Sequence, residues 1–200
     1  MRQFTEEEAE DFLEKNKFKV AKRAFVKNKE QLKKIKIPFP WVMKVSSNKI
    51  MHKAKINGVI LNIDSIEKAE TSLSKLSKIK FFEKAIIQET IKGKEIVIGI
   101  KYTPEFKHVI MFGKGGSAVE KDKDVSFRIF PVKEKDISKM IKDTKISEEI
   151  DDKELKQIKN IINLIQRIIK KYPKILELDI NPLFVDDKKA IIADARIIFM

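Results

Sequence analysis

Cysteine is absent from this 200-residue chain. That excludes disulfides, cysteine-ligated zinc, iron–sulfur clusters and a thiol nucleophile, and it agrees with a reducing compartment, the cytoplasm. No apolar run approaches the roughly 20 residues of a membrane-spanning helix. The acidic, amphipathic opening MRQFTEEEAEDF has no signal-peptide core, so a soluble protein without a membrane partner is expected. Also missing are an internal repeat, a low-complexity linker, an RGG run and an aromatic segment of the kind that stacks RNA bases. What is abundant is lysine: 43 basic against 30 acidic residues give a formal charge of +13 and a pI near 9.6. The bases are spread along the whole length with acids between them, which describes solvated helix faces, and nucleic acid is not expected as a partner. The positive field still favours an anionic ligand such as a nucleotide.

The length allows one medium domain or two small subdomains with a real core. Thr5 with Glu8 forms a capping-box signature, which predicts a helix from about Glu6 to Lys15. Val20 to Val26 reads as a strand, followed by a short basic helix containing Leu32 and Ile35 and closed by Pro38 and Pro40. Strands are expected at Trp41 to Val45 and Val59 to Ile63, and a helix capped by Asp64 or Ser65 runs to about Lys80. Ala85 to Thr90 and Glu95 to Lys101 read as two strands joined by the Lys92-Gly93-Lys94 turn. His108 to Phe112 and Val125 to Ile129 follow. Asp136 to about Lys142 is helical, and Asp152 to Lys171 carries a wide apolar stripe that includes Ile158, Ile162 and Ile165.

The most informative stretch is ELDINPLFVDDKKAIIADARI, residues 177–197. Alternation places Glu177, Asp179 and Asn181 on one face of a strand and Leu178 and Ile180 on the other. With residues 186–189 as the turn of a hairpin, Val185 pairs with Ala190, Asn181 lies across from Asp194, and Asp179 across from Arg196. An amide oxygen beside a carboxylate suits Mg²⁺, which takes one or two protein ligands and completes its shell with water and phosphate oxygens; Arg196 could grip a phosphate as a fork. The competing reading is an ordinary surface hairpin whose acids pair with lysines. Lys44, inside an apolar strand, must snorkel or meet an anion. With the polar loop after it, it reads either as a phosphate site or as a structural lysine at a strand edge. The glycines of residues 113–116 end in neither a Walker sequence nor a Rossmann fingerprint. They serve either a close backbone approach to phosphate or a plain turn.

Four islands, WVMKVSSNKIMHKAKINGVILNI, IIQETIKGKEIVIGIKYTPEF, VIMFGKGGSAVEKDKDVSFRIFP and ILELDINPLFVDDKKAIIADARI, resemble in order and spacing the ATP-grasp part of ADP-forming acyl-CoA synthetases, relatives of the succinyl-CoA synthetase β subunit. The resemblance runs from about residue 4 to the end. It implies an α+β ATP-grasp fold over residues 1–200, with approximate subdomains 1–84 and 85–200 holding ATP or ADP with Mg²⁺ between them. It also implies that Lys44, with Ser46 beside it, binds nucleotide phosphates, that Gln88, Glu89 and Ile91 belong to the hinge that meets adenine, and that Glu95 lies near the ribose. Asn181 and Asp194 match the family's Mg²⁺ ligands. His52 matches the loop histidine that passes a phosphoryl group to ADP, with Lys44 and Arg196 balancing the charge. Its setting in a polar loop separates it from an ordinary structural histidine. His108 stands where the family has proline and has no such role. The family's partner is an α subunit that carries the CoA-binding and phosphohistidine domains, so a hetero-oligomer is expected. Departures are Asn57-Gly58 for a glycine pair, Thr103 for an acid and Lys107-His108 for Gly-Pro. Rival readings are a stand-alone ATP-grasp acid–amine or acid–thiol ligase and a non-catalytic nucleotide-binding regulatory subunit.

Overall fold

The computed structural model describes residues 1–47, 49–50, 53–116 and 124–200. In chain order the elements are β1 (Arg2–Gln3), α1 (Glu6–Lys15), β2 (Arg23–Val26), α2 (Lys29–Leu32), β3 (Trp41–Ser46), β4 (Val59–Ile63), α3 (Ile66–Leu76) and β5 (Lys84–Glu89). They continue as β6 (Lys94–Thr103), β7 (Lys107–Lys114), β8 (Val125–Ile129), α4 (Glu134–Lys142), α5 (Asp152–Lys171), β9 (Ile175–Val185), β10 (Ala190–Ile192) and β11 (Ala195–Phe199). The mixture of helices and antiparallel sheets is the expected α+β class. No helix among the described residues is long and apolar enough to cross a membrane.

Two compact units make up the chain: Met1–Val20 with Lys92–Met200, and Ala21–Ile91. The expected division at residue 84 therefore falls inside β5, and the first twenty residues belong with the C-terminal portion. The cause lies in strand pairing. β5 pairs with β2 and β3, whereas β6 pairs with β7 and β9. The Lys92-Gly93-Lys94 segment thus joins two sheets and is not a hairpin turn. The N-terminal arm is drawn to the larger unit because β1 extends its sheet beside β11 and Leu13 and Ala9 of α1 are fully buried in its core.

In the larger unit the strand order is β1-β11-β9-β6-β7-β8, with β10 paired to β9. Period-two alternation sends Ile96, Ile98 and Ile100 of β6, Ile110 and Phe112 of β7, and Leu178 and Ile180 of β9 to one face. There they meet the isoleucine stripe of α5, and each fully buried isoleucine contributes roughly 1.5–3 kcal/mol. That helix starts where the sequence predicts. Asp151 caps it, and the Glu154 carboxylate accepts from the Asp151 N–H at 3.0 Å. The opposite face carries Gly99, Lys101, Glu177 and Asp179. It is polar because the same alternation sends every second residue away from the helices.

The smaller unit is a four-stranded antiparallel sheet of order β2-β5-β3-β4. Trp41, Met43, Ala85 and Ile87 pack with Leu32, Leu73 and Leu76 on its helical side. Three expectations shift here. The strand expected from Val20 begins at Arg23, and Val20 forms only an isolated bridge to Ile192. The basic helix is a single turn that ends at Leu32, before Ile35. α3 stops at Leu76, because the chain then bends through Ser77 and Ile79 turns and takes a positive φ at Phe81.

Candidate functional site

The C-terminal hairpin has the register the sequence predicts. Val185 pairs with Ala190 and Arg196 with Asp179, and the Asp186 carboxylate accepts from the Lys188 and Lys189 amides at 2.8 and 2.9 Å to close the turn. The return strand is interrupted at Ala193 and Asp194, between β10 and β11. Across this break the Asn181 N–H donates to the Asp194 carbonyl at 3.1 Å and the Ala193 N–H to the Pro182 carbonyl at 3.1 Å. On the other flank β6 and β9 change register: Ile98 faces Ile180, but Ile96 faces Leu183. β9 therefore carries one extra residue at Asn181-Pro182, a bulge that aims the Asn181 side chain away from the packed face.

Asn181 Oδ1 accepts a hydrogen bond from the Gly116 N–H at 2.8 Å. Gly116 has φ +69°, and a Cβ there would lie 1.7 Å from Glu95 Oε2. Gly115 is equally constrained, since its N–H donates to the Glu95 carbonyl at 2.7 Å and a Cβ would press on the Ile96 backbone. The glycines are thus required for close packing, and they join Glu95, on β6, to Asn181, on β9. Sequence alone showed neither contact, because neither strand is adjacent to the glycines along the chain.

Asp179, placed across from Arg196 by the sequence and by the structure alike, was given no role in the site by sequence reasoning. Burial pushes its carboxyl above the ordinary value of 3.8; the Arg196 guanidinium opposes this, and the neighbouring charges of Asp194 and Glu177 reinforce it. Its alternation with Asn181 on one face was the available signal. Arg196, expected to hold phosphate, donates from Nη2 to Glu177 Oε2 at 3.0 Å. Glu177 also lies 3.9 Å from Lys101 Nζ. The guanidinium is therefore held in place by a neighbouring carboxylate, with its remaining N–H groups directed by that tether.

The donor set at the hairpin is one amide oxygen with carboxylates two residues along and across the strand pair. All are hard oxygen donors, and the second lone pair of Asn181 Oδ1 is not used by Gly116. This chemistry fits Mg²⁺.

The smaller unit carries the other expected site residues. In the β3–β5 ladder Lys44 lies opposite Ile86, Val42 opposite Gln88 and Ser46 opposite Lys84. Cross-strand partners share a face, so Lys44, Ser46 and Gln88 stand together on the face turned away from the helices. All three are buried, at 7, 6 and 2% exposure. Glu89 differs: its Oε1 accepts from the Lys22 N–H at 2.9 Å, so its carboxylate ties β5 to the start of β2. Ile91 is half-buried at the end of the unit. The expectation for His52 falls outside the described residues. His108 is buried, with a ring nitrogen 2.8 Å from the Ile175 carbonyl, which ties β7 to the start of β9.

Residues 1–199 match the ATP-grasp domain family. The β subunit of ADP-forming acetate–CoA ligase II from Pyrococcus furiosus is 36% identical over 81% of this chain and 76% of its own length. The chain belongs to the ATP-grasp family of ADP-forming acetate–CoA ligases. Acetate–CoA ligase [ADP-forming] II of Archaeoglobus fulgidus is also 36% identical, over 96% of this ATP-grasp chain, which spans only 30% of that longer relative. Among solved structures, acetyl-coenzyme A synthetase 1 of Ca. Korarchaeum cryptofilum, in complex with coenzyme A, Ca-AMPCP and HgCl+, superposes with a TM-score of 0.88 at 30% identity, covering 100% of this chain and 94% of that one. A second state of that protein holds Mg-AMPPCP with its phosphohistidine segment pointing towards the nucleotide binding site; its TM-score is 0.80 at 30% identity, over 99 and 93% of the two chains.

Membership of the family gives the Gly116 contact a measurable consequence. Gly116→Ala is expected to lower stability by about 1–2 kcal/mol through the left-handed backbone alone, and to loosen the Asn181 amide as Glu95 moves aside. Thermal unfolding of Gly116→Ala, Glu95→Ala and the double variant would check this. The clash is removed in the double variant and the backbone cost remains, so a strictly additive cycle would contradict the close packing.

Proposed function

We propose that the chain is the nucleotide-binding, ATP-grasp component of an ADP-forming acetate–CoA or acyl–CoA ligase, acting in the cytoplasm with a partner α component that carries the CoA-binding and phosphohistidine domains. The observation that carries this reading is the bulged hairpin, which sets the Asn181 amide and the Asp194 segment side by side. The similarity to a named β subunit supports the division of labour between two components. In this reading Asn181 and Asp194 hold Mg²⁺, which supplies charge neutralisation at the nucleotide phosphates. Lys44, with Ser46, serves the phosphates, while Gln88, the backbone at Glu89 and Ile91, and Glu95 serve adenine and ribose. Arg196 balances charge from its tether on Glu177.

The chemical step assigned to the chain is phosphoryl transfer to ADP. The phosphorus–nitrogen bond of a phosphohistidine breaks as a β-phosphate oxygen of ADP bonds to the phosphorus, and the imidazole departs as the leaving group. His52 is proposed as the relay on this side, because an imidazole is a competent nucleophile near neutral pH. The test is ATP formation from acetyl-CoA, ADP and phosphate by the chain with its genomic neighbour. Activity is expected only for the pair, and His52→Ala is expected to lower turnover by about 100-fold or more while ADP binding is unchanged. Full turnover in His52→Ala would remove the relay. Activity from the chain alone would point instead to a stand-alone ligase.

A further inference from the structure

The smaller unit contains a hollow of about 500 Å³ lined by residues 22–26, Gln31 and residues 34–38. Its volume is that of a ligand site, yet no residue assigned above to nucleotide or metal lines it. One wall is the whole of β2, which ends the strand order of its sheet and so is an edge. The Glu89 N–H donates to the Lys22 carbonyl at 3.1 Å, and Ala24 and Val26 lie opposite Ile87 and Ala85. The antiparallel alternation therefore turns the backbone of residues 22, 24 and 26 inward to β5 and that of Arg23 and Phe25 outward. At the end of the strand the Lys27 N–H is already taken by Gln31 Oε1 at 2.6 Å, so Phe25 is the last outward-facing residue through which an added strand can pair.

The lining is basic and apolar. Lys22, Lys34 and Lys36 are exposed and paired with no carboxylate among the described residues, and no described carboxylate lines the hollow. Ile35 and Ile37 supply apolar surface between the lysines, while the Phe25 ring, opposite Ile86, lies on the other face of the sheet, with Lys84 Nζ 4.4 Å from its centroid. An outward strand backbone, an apolar floor and a cationic rim match the three parts of an extended peptide: its main chain, an inward side chain and flanking acids.

We propose that this hollow receives an extended acidic segment of a partner chain, which pairs with the backbone of Phe25, places an apolar side chain against Ile35 and Ile37, and sets its carboxylates against Lys22, Lys34 and Lys36. A small phosphate would satisfy the lysines but leave the apolar floor and the strand edge unused. The proposal does not depend on the ligase reading, since the two involve different residues.

The test uses the full chain, labelled for amide NMR, and a blocked decapeptide of alternating glutamate and valine. Saturable shifts confined to residues 22–27 and 34–38 are expected, with slowed hydrogen exchange at the Phe25 amide. Affinity should be at least about tenfold weaker in Lys22→Glu/Lys34→Glu/Lys36→Glu, and a lysine–valine decapeptide should give no response with the unaltered chain, a control independent of the variant's folding. Three results would overturn the idea: equal response to both peptides, unchanged exchange at Phe25, or inorganic pyrophosphate reproducing the shifts and displacing the peptide. The last would identify a small-anion site instead.

Discussion

Removal of either proposed donor, by Asn181→Ala or Asp194→Asn, is expected to weaken Mg²⁺-dependent ADP binding by roughly 10–100-fold, the range seen when even the supporting groups of a metal site are lost. The proposed shell has few protein donors, so removal of either leaves the ion with one fewer anchor and the nucleotide phosphates less neutralised. The two variants should differ in stability. Asn181→Ala forfeits the hydrogen bond from the Gly116 N–H, a bond of 2.8 Å and worth about 1 kcal/mol, whereas Asp194→Asn keeps the size of the side chain and removes only its charge. Calorimetric titration with ADP, with and without Mg²⁺, separates the effects. Both variants should lose the Mg²⁺-dependent increment, and Asn181→Ala should in addition lose thermal stability by about the worth of the Gly116 hydrogen bond. An undiminished Mg²⁺ increment in Asp194→Asn would leave the hairpin as an ordinary surface ribbon.

Lys44→Met is the second change expected to have a large effect. Lys44 is 7% exposed and shares its sheet face with Ser46 and Gln88, so a methionine can occupy most of its volume without opening a cavity. The positive charge is lost. At a partly desolvated site one charge pair at about 4 Å is worth on the order of 4 kcal/mol at an effective dielectric of 20, of which solvent and neighbouring lysines recover a share. A loss of about 100-fold in ADP affinity is therefore expected, with the melting temperature little changed. Adenosine, which has no phosphate, should bind Lys44→Met and the unaltered chain alike. If ADP affinity survived intact, Lys44 would be a structural lysine, the reading its sequence context also allows.

The larger Ile96–Ile180–Ile162 core and the smaller core around Trp41 and Met43 explain why so much was legible in advance. α1 with its capping box, β4, β8 and the long helix α5 carry their start signals and apolar periods within a few residues, and all four match the expected spans. The final hairpin was readable for the same reason: a four-residue turn and the alternation of residues 177–181 leave one register, although the bulge at Asn181-Pro182 was not legible. α3 ends early because a period can be continued on paper through Ile79 after the backbone has turned away.

The order of the elements, the capping of α1 and α5, the face that carries Glu177, Asp179 and Asn181, and the family likeness were determined by the sequence itself, since each rests on interactions between residues close along the chain or on side-chain alternation. Tertiary structure alone decided which sheet each strand joins, and hence the return of residues 1–20 to the larger unit. It also decided the packing of Gly116 between Glu95 and Asn181, the tether of Arg196 on Glu177 and the raised proton affinity of Asp179. Those depend on burial and on contacts between residues far apart along the chain, such as Gly116 and Asn181, 65 positions apart, whose energies arise only after the sheets have formed and water has been excluded, so no local pattern encodes them.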